Sequence, residues 1–178
     1  GVPGLGDFRI SQGVSGAGIC RMDDLTPNVW EEAWGTGLGT GIDKVSGAGG
    51  GAGVEWTPEG TPDGLTARIV YSPNVGGSKS GDKSGSGDDN SVRRSGYDIT
   101  LEATSDITGV DGLTVYGGIS NVENYVNGTT FNGDADETTL GAKYAMGAWT
   151  IGYQWSEEDT GRATTNTQYD NDAYGITF

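Results

Sequence analysis

Four carboxylates, Asp23, Asp24, Glu31 and Glu32, crowd into the stretch MDDLTPNVWEEAW. Paired carboxylates can act as general acid and base on a glycoside, but no pocket can be argued around these. Further acidic groups stand at Asp88-Asp89, Asp134-Asp136-Glu137, Glu157-Glu158-Asp159 and Asp170-Asp172. Their hard oxygens suit Ca²⁺ or Mg²⁺. None has the EF-hand order with its glycine and terminal Glu. Each reads first as solvated loop charge and second as a weak Ca²⁺ site, and no other cofactor is expected. The chain has no His and one Cys, Cys20. That excludes Ser-His-Asp triads, His-ligated metals, an internal disulfide and Cys-cluster zinc sites. Gly37-Leu38-Gly39-Thr40-Gly41 lacks the GxGxxG spacing, and Gly41-Ile42-Asp43-Lys44 has Asp where a phosphate loop needs Gly. Nucleotide binding is therefore rejected, and no enzymatic activity is expected.

The composition narrows the class. Of 178 residues, 34 are Gly and only 33% are hydrophobic, yet 8 Tyr, 5 Trp and 3 Phe are too many aromatics for a solvating tail. Helix formers are scarce, so a β protein with polar loops is expected. The formal charge of −15 argues against a nucleic-acid partner. There is no apolar run long enough for a transmembrane helix and no signal peptide. The opening at Gly1 suits a mature protein or an internal fragment equally.

The elements that position these residues repeat with period two. Apolar sets alternate with polar or small ones at 65–72, 97–104, 113–120, 139–146 and 149–156. Leu65, Ala67, Ile69 and Tyr71, for example, interleave with Thr66, Arg68, Val70 and Ser72. This predicts strands with one apolar and one wet face. Residues 7–12, 53–57 and the last six add further strands, about eight in all by the same pattern. Short connections at 58–64, 106–112 and 146–148 alternate with long ones at 73–95, 123–136 and 158–170, giving an up-and-down meander with two unlike ends. Tyr71, Tyr97, Trp155 and Tyr174 fall near the long-loop ends of outward faces, and Trp56, Tyr144 and Trp149 near the short-turn ends. Two such aromatic rows with aliphatics between them form the girdle pattern of an outer-membrane barrel. The alternation sends Arg9, Arg68 and Lys143 inward, together with Asp7, Asp98 and Glu102.

The segment 14–52 breaks the pattern. Thr26-Pro27 is a suitable N-cap and first helical residue, so a short helix over VWEEAW is expected, ending at Gly35. Trp30 and Trp34 then share a face, better placed to pin the helix than to stack on a sugar. A connection this long is functional or disordered, and its aromatics favour a folded loop.

With these features the chain resembles the general porins of the Gram-negative outer membrane. The resemblance rests on the aromatic-ended strands, the alternating turns and loops, the placement of 14–52, and the stretches MDDLTPNVWEEAW, YAMGAWTIGYQW and NDAYGITF. It implies an all-β, antiparallel up-and-down transmembrane barrel. Residues 1–178 would be a partial barrel, about eight strands of sixteen, because an eight-stranded barrel is filled by its own side chains. Segment 14–52 would be a pore-constricting loop with a short helix. The resemblance further implies Asp23, Asp24, Glu31 and Glu32 facing a basic wall of Arg9, Arg68 and Lys143, so that the field across the gap sorts solutes. It also implies passive diffusion of small hydrophilic solutes and ions, a homotrimer, and contact with outer-membrane lipid and lipopolysaccharide. Period-two alternation alone leaves open a soluble extracellular β-sandwich that binds carbohydrate or Ca²⁺.

Overall fold

In the computed structural model the chain is all-β, with one antiparallel sheet of eight strands in sequence order. The structure describes residues 1–12, 17–22, 25–27, 47–48, 52–75, 93–124, 131–164 and 168–178. The strands are β1 (Gly6–Gln12), β2 (Ala52–Pro58), β3 (Leu65–Asn74), β4 (Arg93–Ala103), β5 (Leu113–Asn124), β6 (Ala135–Met146), β7 (Trp149–Asp159) and β8 (Gln168–Thr177). Each pairs with its sequence neighbours, and β1 and β8 are left as edges, so the sheet does not close into a barrel.

The predicted strand cores and faces are the ones observed. Leu65 pairs with Ala103, Ile69 with Ile99 and Tyr71 with Tyr97, which places the interleaved apolar sets of β3 and β4 on one face. The strands run further toward the long connections than the alternation predicts. β4 begins at Arg93, β5 ends at Asn124, β6 begins at Ala135 and β7 ends at Asp159. Asp136, Glu137, Glu157, Glu158 and Asp159, expected in loops, are therefore strand residues. The short ends match their turn chemistry. β6 and β7 are joined by a two-residue hairpin at Gly147, whose φ of 61° an L side chain rarely adopts. Between β4 and β5 the chain makes one helical turn, α1 (Ser105–Thr108), capped by Gly109 in the left-handed region.

The polarity of the sheet is inverted relative to a soluble core. Ile10, Tyr71, Leu101, Ile119, Leu140, Tyr174 and Ile176 are among many large apolar side chains left exposed. The polar face is the covered one: Glu55, Ser72, Asp98, Thr100, Ser120, Glu137, Thr139 and Gln154 are buried. Among the described residues, two small apolar clusters lie against that face, Ile19, Met22 and Tyr116 with Leu25, and Ala48, Val122 and Ala135 with Val75. On the apolar face aromatics meet at the short-turn ends and in mid-sheet; Tyr174, expected near a long-loop end, lies opposite Tyr153, three residues from the short-turn end of β8. Phe8 stacks on Trp56 at 6.2 Å, and Trp149 meets Phe178 and Tyr153 meets Tyr174 at 5.0 Å each.

Candidate functional site

The described parts of the segment between β1 and β2 lie on the polar face and meet strands from β2 to β8. A 3-10 helix, Gly18–Met22, which the sequence pattern did not announce, starts the crossing. Gly18 donates its N–H to Glu55 Oε2 at 2.9 Å on β2. Ile19 donates to Asp98 Oδ2 at 3.1 Å on β4, and Ala48 donates to the other oxygen of Asp98 at 2.8 Å. Gly47 donates to Glu137 Oε2 at 2.9 Å on β6. Further along, the Thr26 hydroxyl lies 3.3 Å from Tyr116 Oη on β5 and donates to Gln154 Oε1 on β7. Pro27 rests against Gly152 and Gly175 on β7 and β8.

Burying a carboxylate is costly unless hydrogen bonds or a cation compensate it. Asp98 has no accessible surface, and Glu55 and Glu137 are 6% and 4% exposed. The segment supplies the compensation: main-chain N–H groups to all three, and Arg21 Nη2 to both oxygens of Glu55 at 2.7 and 3.0 Å. Charge-assisted bonds of this kind are the stronger class. Gly18 and Gly47 make the close approach possible. Both have positive φ, and a Cβ on either would overlap the Asp98 carboxylate.

The predicted basic residues are partly brought together. Arg9 stands opposite Glu55 in the β1–β2 register. Arg68, on β3, lies on the same face and pairs with Glu102 at 3.9 Å. Lys143 is on β6, in register with Thr114 and Gly152, with β4 and β5 between it and Arg68. Asp23, Asp24, Glu31 and Glu32, and the expected helix with Trp30 and Trp34, lie outside the described residues.

Among the described residues the segment carries one charged side chain, Arg21. The loop contributes the cation, Arg21, and the wall contributes the acids, Glu55, Asp98 and Glu137. The alternation places Asp98 inward but gives no role to Arg21, Glu55 or Tyr116, and the acidic cluster that includes Glu137 reads as outer-loop charge. The signal for Glu137 was available: Ala135, Glu137 and Thr139 extend the β6 alternation upward on the face that proves buried. Main-chain donors such as Gly18 and Ala48 leave no side-chain signature. Among the described residues no three Asp, Glu, Cys or His groups are arranged to hold a metal. No protein-family profile matches the chain, and no curated protein matches it.

Proposed function

We propose that the chain is part of a diffusion pore of a bacterial outer membrane, supplying about eight strands of a sixteen-stranded barrel. The observation that carries this reading is the inverted sheet: eight antiparallel strands with an exposed apolar face and a polar face covered by the described parts of the segment between β1 and β2. Exposed apolar surface on this scale marks a face meant for lipid or a partner. Tyr71 and Tyr97 toward the long-loop side and Trp56 and Trp149 at the short-turn side suit two water–lipid boundaries, where an apolar ring with a polar edge is most at home. A closed barrel also satisfies every backbone group, which hydrocarbon requires, and closure needs further strands on the β1 and β8 edges. Segment 14–52 is the constriction. Small hydrophilic solutes and ions pass beside it without energy coupling, and Asp23, Asp24, Glu31 and Glu32 together with Arg9 and Arg68 set selectivity. The assembly is a homotrimer held in outer-membrane lipid and lipopolysaccharide.

The test is single-channel recording of the full-length protein, refolded from detergent into a planar bilayer. Stepwise openings, ohmic at low voltage and grouped in threes, are expected. A protein that remains soluble without detergent and gives no openings would overturn the reading and favour a β-sandwich binding module.

A further inference from the structure

Arg68 and Arg21 share one corner of the polar face, the first on β3 and the second in the last turn of the 3-10 helix. Glu55 links them. It stands opposite Val70 in the β2–β3 register, two residues from Arg68, and both its oxygens accept from Arg21 Nη2. Each guanidinium nevertheless keeps a buried N–H group with no acceptor, at Arg21 Nε and Arg68 Nη1. The carboxylate paired with Arg68, Glu102, has its Oε2 3.9 Å from Nη1, too far for a hydrogen bond. A buried donor left without an acceptor is costly, and native proteins leave few. Here the two donors belong to neighbouring cations that repel each other. Both side chains stay partly open, at 29% and 20% exposure. Water satisfies an N–H group but does not offset that repulsion. A group with negative charge and several acceptor oxygens does both, and guanidinium donors match it best.

We propose that Arg21 and Arg68 form a binding site for a small oxyanion carried by a passing solute. Its oxygens accept from Arg21 Nε and Arg68 Nη1, and Glu102 is the competitor it displaces from Arg68. The inference deepens the pore reading by naming a solute class. It rests on that reading for transport alone, since binding is measured without conduction.

A fixed pore charge and an oxyanion site predict different results for Arg68→Lys. Lysine keeps the charge and loses the planar fork. A fixed charge survives the change, so phosphate and chloride respond alike. A site loses phosphate affinity while chloride permeability stays. The experiment is titration of inorganic phosphate into the full-length protein in detergent micelles, read by phosphorus NMR line broadening. Block of chloride current by phosphate in planar bilayers is the second arm. Arg21 is left intact in every variant, because it also holds Glu55. The wild type is expected to bind phosphate saturably. Arg68→Gln should weaken binding by about ten- to a hundredfold, as for a lost hydrogen bond to a charged group, and Arg68→Lys should weaken it less. Glu102→Gln removes the competitor and should tighten binding, a change that loss of folding cannot imitate. Arg94→Gln, on β4 beside Glu123, should bind as the wild type does. Absence of saturable binding would leave these N–H groups to water alone and overturn the site. Wild-type affinity in folded Arg68→Gln or Arg68→Lys would overturn it as well. A protein that binds phosphate in micelles yet never conducts would overturn the pore reading alone.

Discussion

Among the described residues Tyr116 is the largest fully buried side chain, at 1% exposure. Its ring packs with Ile19 and Met22, and its hydroxyl donates to Gln154 Oε1 at 3.1 Å beside Thr26. One residue thus supplies apolar contact to the 3-10 helix and a polar link to β7, which neither Phe nor Ser could do alone. Tyr116→Phe should keep the packing and lose the hydroxyl, at a cost of about 1 kcal/mol. Urea unfolding of the refolded protein would register it as a lower midpoint at unchanged slope. That Tyr116 points to the wet face was legible in the alternation of β5. Its partners were not, because Thr26 and Gln154 are 90 and 38 residues away in sequence. The pairing of Arg21 with Glu55 was hidden for the same reason. Residue type announces a charge, but the path of the segment over the sheet decides what it meets.

Among the elements, strands were the most legible, since period two is a local property that one face of a sheet enforces on its own sequence. Their upper ends were not, because residues such as Asp136 and Glu158 have low strand propensity and are held in place by the ladder to β7 and β6. The path of the described parts of the segment was hidden as well, since main-chain N–H groups and space left by glycines share in docking them. Gly152 and Gly175 read as ordinary weak points of β7 and β8, yet they form the seat for Pro27. A Cβ on Gly175 would overlap the Pro27 carbonyl and backbone, whereas Gly133 has open space around it. Gly175→Ala should therefore lift Pro27 from its seat and speed proteolysis of the 14–52 segment severalfold. Gly133→Ala should cleave at the wild-type rate, and equal rates for the two would show that Pro27 is not held there.

For the whole molecule, the decisive property is which face meets water. Ile119 lies midway along β5 on the apolar face and is 47% exposed. In a bilayer an arginine near this depth costs about 2–4 kcal/mol. Ile119→Arg should weaken refolding into lipid vesicles by that amount in a urea titration. A stability equal to wild type would place this face in water instead. The order in which the chain assembles follows from the anchoring of the segment. Each strand ladder joins sequence neighbours, but Gly18 waits for a partner 37 residues ahead, Ile19 for one 79 ahead, and Gly47 for one 90 ahead. Contacts at such separations form late, because chain closure must come before their reward. The segment emerges early from synthesis yet has nowhere complete to bind until β8, whose Gly175 helps seat Pro27, is in place. Its docking is expected to follow the pairing of the described strands, and pulse-labelled amide exchange during refolding would show protection at Ile19 and Ala48 arising after that of β3 to β7.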